Sequence, residues 1–323
     1  MKKVVVLGSK KKSALVIGGT GMDGYLMVAL LLTKGYEVTA TYNNSRAKCD
    51  IIHPNLTWVK FDLATSLDNS ILKFLPCDEV YNFAGVSFSP DSVRLPDYCE
   101  LVNEIAVRKM LEVITFHSPK TKFFQASSGE VFGYNKGKVN LNSPRDPQTP
   151  YAVAKNNIDM LCRYLREEGY LIYNGISFSH ERHTRDNKFL IKKVCRYVAE
   201  LTMNLNYQSL TLGGLENTRD WGSAIEYVDG FYSQMQGEPS ELIFATGKLS
   251  KVQDVLEIGF GMYGYNWYEF VRFSDDLKRE DGGTYGDYSE AEKRINFKPT
   301  LGLKEIIEGI IVNEIEVIKN EKL

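Results

Sequence analysis

The chain is predicted to be an α/β protein: a doubly wound parallel sheet with a smaller C-terminal lobe. Three observations carry this prediction. Short apolar runs alternate with helical patterns through the first 178 residues, the order that builds a parallel sheet covered on both faces. A glycine cluster stands between the first such strand and the first helix. The 323 residues, 43% hydrophobic and 25% charged, have an ordinary globular balance and enough length for one large domain or two lobes sharing an interface.

Met1–Lys12 contains the run Val4–Leu7 between lysines, too short for a secretory segment of roughly 7–15 apolar residues. Residues 1–13 therefore read as a basic leader, either an extra edge strand or a segment outside the fold. Ala14–Ile17 reads as the first strand. Tyr25–Leu32 reads as a helix stopped by Lys34 and Gly35, a cation and then a glycine C-cap. Glu37–Tyr42, Leu56–Phe61, Glu79–Phe83 and Lys122–Ala126 follow as strands, with helices between them, most clearly Pro96–Phe116. Thr149 as N-cap and Pro150 at the first helical position open a helix over Tyr151–Glu168. Leu171–Phe178 is the sixth strand. Residues 14–178 form the dinucleotide-binding core of this reading. Residues 179–323 form mainly the smaller lobe, with segments around 208–247 returning to the core. Ser179–Asn187 and Leu212–Ser223 read as irregular. Phe189–Leu201, Ala224–Met235, Val252–Met262, Glu290–Ile295 and Leu303–Ile318 read as helices, and Gly282-Gly283 as a mobile loop.

Charge and cysteine content exclude other classes. Lysine plus arginine number 39 against 41 acids, so nothing points to nucleic acid. No stretch is apolar enough to span a bilayer. Five cysteines, an odd number without a CxxC pair, read as reduced thiols in a cytoplasmic protein.

Gly18-Gly19-Thr20-Gly21-Met22-Asp23-Gly24 follows a strand and opens a helix, the context that a dinucleotide-binding loop requires. Such glycines permit a tight turn, admit a pyrophosphate to the backbone and aim the helix N-terminus at its charge. Gly18, Thr20, Gly21, Met22 and Asp23 are the loop's candidate cofactor contacts. No acid lies between Thr39 and Lys48 to hold a ribose diol, whereas Asn43 and Arg46 suit a 2′-phosphate, so NADP is favoured, with NAD possible. Asp62 is placed to accept from the adenine amino group; Leu63 beside it and Ala84 after the fourth strand complete the cofactor positions.

Tyr151 and Lys155 stand four residues apart, on one helix face. The neighbouring cation is expected to lower the phenol pKa from near 10 toward base chemistry at neutral pH. Ser128 closes the fifth strand, at the sheet edge where parallel sheets bind ligands, and can bond the same substrate oxygen. The four scattered histidines show no metal spacing, and His180 and Glu181 read as structural hydrogen-bonding groups rather than a metal pair.

These motifs together resemble the extended short-chain dehydrogenases/reductases that act on nucleotide sugars, and among them the GDP-mannose 4,6-dehydratase family. Residues 14–24, Phe124–Gly133, Ser179-His180-Glu181, Arg219-Asp220-Trp221-Gly222 and Ala245-Thr246-Gly247 are similar to that family's motifs in the same order. The resemblance implies a Rossmann fold and a lyase of deoxysugar biosynthesis. Ser128 and Tyr151 would handle the sugar C4 hydroxyl. Lys155 would hold the nicotinamide ribose, and Glu130 would act at C5 and C6. It further implies substrate contacts at Ser87, Ser179, Lys193, Arg219 and Arg279. Val86 and Phe88 replace a glutamine and a histidine expected around Ser87, and Ser179 replaces an asparagine. A net oxidoreductase or epimerase of the same fold is the alternative, and it would leave Glu130 idle. A non-catalytic dinucleotide-binding module is the third reading, and the intact Ser128, Tyr151 and Lys155 set argues against it. The helices over Pro96–Phe116 and Tyr151–Glu168 lie where the resembled superfamily pairs subunits. Their apolar positions, such as Ile105, Val107, Leu111 and Met160, exceed what one sheet face needs, so the resemblance implies a homodimer. The family's arginine-rich loop after the second strand is missing, which argues against a tetramer.

Overall fold

The computed structural model describes residues 11–43, 50–65, 69–206, 208–277 and 283–321. Its first half comprises β1 (Ser13–Ile17), α1 (Met22–Thr33), β2 (Glu37–Tyr42), β3 (Leu56–Lys60), β4 (Glu79–Asn82), α2 (Ser89–Arg94), α3 (Pro96–Glu100), α4 (Ala106–His117), β5 (Lys122–Ser128), β6 (Gly137–Val139), α5 (Pro150–Glu167), β7 (Ile172–Ser177) and β8 (Ser179–Glu181). The second half adds α6 (Leu190–Thr202), β9 (Leu210–Leu212), β10 (Thr218–Arg219), β11 (Trp221–Ser223), α7 (Ala224–Gln236), β12 (Glu241–Phe244), β13 (Ser250–Lys251), α8 (Val252–Gly261), β14 (Val271–Phe273), β15 (Thr284–Gly286), α9 (Ser289–Ile295) and α10 (Leu303–Glu321).

Seven strands pair in parallel in the order β12-β7-β5-β4-β1-β2-β3. Strand periodicity decides which layer each residue enters. On β1, Ala14 and Val16 pack with Met27, Val28 and Leu31 of α1, while Leu15 and Ile17 pack with Val107, Leu111 and Ile114 of α4. Both faces are therefore apolar, which is why these strands read as unbroken hydrophobic runs. The chain leaves β1 toward β2 and β3, then crosses back to β4 on the other side. That reversal opens a crevice at the carboxyl ends of β1 and β4. A separate apolar cluster joins α6, α8 and α10 in the C-terminal part, including Val194, Val198, Leu256, Phe260, Ile307 and Ile311.

Several expectations are corrected. The helix expected over Pro96–Phe116 is interrupted by a π-helical turn at Leu101–Ile105. Ser179–Asn187 and Leu212–Ser223 are not wholly irregular, since β8 pairs in parallel with β11. The seventh strand, β12, was not read from the sequence; pairing with β7 makes it a strand. Val107 and Leu111 are buried in the sheet's own layer and leave no surplus for a partner. Residues 1–10 of the leader, Cys49 and Gly282 lie outside the described residues. Gly283 is held through its carbonyl by Gly137 N at 3.0 Å. The four described cysteines, Cys77, Cys99, Cys162 and Cys195, are free thiols.

Candidate active site

The glycine loop is shaped by two close approaches. Gly18 adopts φ +81°, and a Cβ there would stand 2.7 Å from Ala84 N at the end of β4. A Cβ on Gly24 would collide with the Gly18 carbonyl. Only glycine lets strand, turn and helix converge this tightly. Gly19 N donates to Thr41 O at 2.9 Å and Gly21 N to Gly18 O at 2.9 Å. α1 begins after Gly21 with no side-chain cap, so its first N–H groups are open to a phosphate, and the loop fits a dinucleotide. Met22 is buried beneath the turn, and Thr20 is half-buried on it. Asn43 is exposed at the end of β2, and Arg46 lies outside the described residues. Asp62 accepts from Ala64 N at 3.0 Å, and Leu63 is buried beside it.

Asp23 leaves this loop toward the later half of the chain. Its two oxygens lie 3.0 Å from Nε2 of His180, whose Nδ1 lies 2.7 Å from the Phe178 carbonyl. Both ring nitrogens face acceptors, which suits the doubly protonated imidazolium. Burial alone would lower the His180 pKa, but the charge and hydrogen bond of Asp23 prevail and raise it. Burial likewise works against the Asp23 carboxylate, yet His180 holds its pKa below the usual value. His180 is thus engaged in hydrogen bonds, as the sequence reading assigned it. Among the described residues no group of three or more His, Cys, Asp or Glu is placed to hold a metal ion.

The end of β5 and the start of α5 bring four predicted residues together. Thr149 caps α5 by accepting from Ala152 N at 3.1 Å, and Ser92 Oγ accepts from Tyr151 N at 3.2 Å. Tyr151 is buried and its hydroxyl shares a hydrogen bond with Ser128. Ser128 Oγ also accepts from Glu130 N at 3.2 Å, at the start of a 3₁₀ turn that leaves Glu130 exposed. Lys155 Nζ donates to the Ala126 carbonyl at 2.8 Å and lies 5.8 Å from the centroid of the Tyr151 ring.

The expected lowering of the Tyr151 pKa is overturned. Burial, followed by the charge of Glu130, pushes it well above 10, and the Ser128 hydrogen bond and Arg185 only partly oppose this. Lys155 is bonded to a carbonyl and lies beside the ring rather than at the hydroxyl, and burial lowers its own pKa.

The remaining predicted contacts are spread over separate elements. Ser87 is exposed, on a loop held by Asn103, which accepts from Val86 N at 2.8 Å and donates to Val86 O at 3.0 Å. Asn103 lies in the π-helical turn, a local irregularity that places it opposite that loop. Ser179 is half-buried in β8. Lys193, on α6, donates to Thr211 O at 2.9 Å, and Arg219, on β10, donates to Thr218 O at 2.6 Å. Arg279 lies outside the described residues.

Arg185 was missed by the sequence reading. Its charge acts on Asp23, Tyr151, His180 and Glu181, and its guanidinium stacks 3.6 Å from the centroid of Phe189. Phe189 meets Phe88 edge-on at 5.2 Å, and Lys188 pairs with Asp91 at 2.7 Å, so the 185–189 segment bridges to the Ser87 loop. No local spacing marks Arg185; a cation in a stretch read as irregular carries no signal.

Comparison with known proteins places this geometry. The family model described as GDP-mannose 4,6 dehydratase matches residues 15–310. GDP-mannose 4,6 dehydratase 2 of Arabidopsis thaliana is 32% identical over 334 residues, which cover 97% of this chain and 89% of the relative. Among solved structures, RMD from Pseudomonas aeruginosa complexed with NADPH superposes with TM-score 0.75 at 18% identity, over 95% of this chain and 98% of that one. dTDP-glucose 4,6-dehydratase from Bacillus anthracis in complex with NAD gives TM-score 0.79 at 18% identity, over 96% and 98%. At that identity the structures speak for the fold, a Rossmann-type, mostly parallel seven-stranded sheet flanked by helices. With the family model spanning nearly the whole chain, this chain belongs to the GDP-mannose 4,6-dehydratase family.

Proposed function

We propose that the chain dehydrates a nucleotide-diphosphate sugar, GDP-mannose or a related GDP-hexose or GDP-heptose, to its 4-keto-6-deoxy form. The observation that carries this is the convergence of Ser128, Tyr151 and Glu130 at the end of β5, with the Tyr151 hydroxyl on Ser128 and the Glu130 charge acting on Tyr151. The glycine loop, Asn43, Arg46, Asp62, Leu63, Ala84 and Lys155 would hold NADP; the lack of an acid after β2 favours it over NAD. When bound, that cofactor would supply the acceptor for a hydride from C4 and the donor of a hydride to C6. Tyr151 takes the proton of the C4 hydroxyl, steadied by Ser128. Its raised pKa makes it a strong base once ionised, and a positive charge brought beside it lowers the cost of ionisation. The C4 ketone acidifies the C5 proton. Glu130 removes that proton and gives it to the departing C6 hydroxyl, which leaves as water, two tasks that one exposed carboxyl can perform in turn. The proton that Tyr151 took from the C4 hydroxyl balances the one restored at C5 when C6 receives hydride. Ser87, Ser179, Lys193, Arg219 and Arg279 would bind the nucleotide diphosphate and sugar, and the 179–323 segments serve mainly as the substrate lobe.

Glu130→Gln tests this reading against a net oxidoreductase or epimerase. With GDP-mannose, C4 oxidation survives in the variant, elimination slows by about 10²-fold or more, and reduced cofactor accumulates. Dehydration at the parent rate, followed by loss of water in the product mass, would remove Glu130 from the chemistry.

The same reading makes the protein a cytoplasmic homodimer. Its support is the exposed apolar set Ile105, Val153, Met160 and Tyr164 along α5 and the neighbouring π turn, and the free thiols. Among the described residues no helix is long and apolar enough to cross a membrane.

A further inference from the structure

α5 carries Tyr151, Lys155 and Asp159 at four-residue steps, so the three side chains line one helix face. That face grips three successive residues of β5. Tyr151 bonds Ser128, Lys155 Nζ donates to Ala126 O at 2.8 Å, and Ser127 Oγ donates to Asp159 Oδ2 at 2.7 Å. The Ser127 carbonyl accepts in turn from Ser177 Oγ on β7 at 3.0 Å. Asp159 is 2% exposed, a buried carboxyl that the proposed chemistry does not use.

We infer that Asp159 is a positioning residue for the catalytic pair: its charge, one turn beyond Lys155, keeps that buried side chain an ammonium, and its bond to Ser127 fixes the strand end that carries Ser128. This rests on the proposed roles of Lys155 and Ser128. Burial depresses the Lys155 pKa, and Asp159 is the foremost group opposing that. The groups facing Asp159 are Arg145 from the segment before α5, Glu241 of β12, Asn174 of β7, Ser127 of β5, and Lys155, Cys162 and Arg166 of α5 itself. Arg145 Nη1 lies 3.7 Å from Asp159, and Arg145 Nη2 lies 3.1 Å from Glu241, which Arg163 also meets at 2.9 Å. Burial outweighs the Arg145 charge and the Ser127 bond and pushes Asp159 up to about 6.

Asp159→Asn keeps the shape and an oxygen for Ser127 while removing the charge, and Arg145 retains Glu241. Turnover of GDP-mannose and NADPH affinity, read by fluorescence, are measured from about pH 5 to 9. The gap opens as pH rises toward 9, to about tenfold at most, the limit set by one pKa unit on Lys155, and the variant binds NADPH more weakly there. Both gaps close toward pH 5, where Asp159 in the parent is itself protonated. A packing defect would lower the rate by the same factor at every pH, and a constant ratio, or no difference, overturns the inference. If the parent turns over no GDP-hexose, the NADPH gap alone decides: a gap that closes at low pH sustains the inference while the substrate reading falls, and its absence removes the inference. Ser127→Ala separates the two roles, with a rate loss independent of pH expected; an unaltered rate overturns the strand-fixing half.

Discussion

In one region, Ser128, Tyr151 and Lys155 stand on a strand of 7 residues and a helix of 18. In another, Ser179, Arg219 and Gly286 stand on strands of 3, 2 and 3 residues. The long elements take their positions from many backbone hydrogen bonds and an apolar layer behind them. The short ones have too few backbone bonds to hold a place, and buried side chains do it instead. Asp220, 1% exposed, accepts from Thr246 N at 2.8 Å, Gly247 N at 2.9 Å and Gly286 N at 3.3 Å, so one carboxylate ties three segments together. Asp23 and His180 do the same between the glycine loop and β8. A single substitution should therefore damage chemistry in the first region and architecture in the second.

The largest effect is expected from Tyr151→Phe. Turnover should fall by about 10²–10⁴-fold while thermal stability and NADPH binding stay near the parent's, since α5 holds the ring in place. A variant that also melts early would show that this region depends on single side chains too.

Asp220→Asn is expected to do the opposite. It leaves the Gly247 and Gly286 N–H groups without a charged acceptor, at a cost of about 2–4 kcal/mol in urea unfolding, and raises KM for the nucleotide sugar more than it lowers kcat. Unchanged stability would show that the backbone of β10 and β15 suffices.

The Asp23–His180 tie is read through pH. His180 has a folded pKa above its ordinary 6.5, so its contribution is complete below pH 6.5 and is lost as pH rises through the folded value. Asp23 has a lowered pKa, so its contribution is present above 3.8 and is lost as pH falls through the folded value. The stability gap between parent and His180→Gln should be widest between those two ordinary values and shrink toward pH 9. A gap that grows with pH would mean that His180 is neutral in the fold.

The smallest effect on activity is expected from Met160→Glu, on the exposed face of α5. It should leave turnover within a few-fold while converting the proposed dimer to a monomer by light scattering, because the charge is desolvated only at a partner contact. A parent that is already monomeric would sink the assembly proposal.

The same division between long and short elements decides what could be read before the structure. α5 and α10 were legible because each repeats its period enough times to stand out, and β1 and β2 because each is a short run set between helical patterns. β12 has four residues and β10 two, and neither repeats anything; their neighbours make them strands. In the site, Tyr151 and Lys155 were found through their spacing and Ser128 through its place at the end of the fifth strand. Arg185 and Asn103 were not, since an arginine in an irregular stretch and an asparagine inside a helical pattern look ordinary until the chain folds around them.

The sequence by itself determined the alternation of strands and helices, the glycine turn and the Tyr151–Lys155 face, because these depend on sterics and periodicity within a few residues. Tertiary structure alone decided that Asp23 meets His180 across 157 residues, that Lys192 meets Glu314 across 122, and that the Tyr151 pKa moves up rather than down. Burial and charge at a point in space are set by whatever packs there, and residues distant in the chain supply most of it.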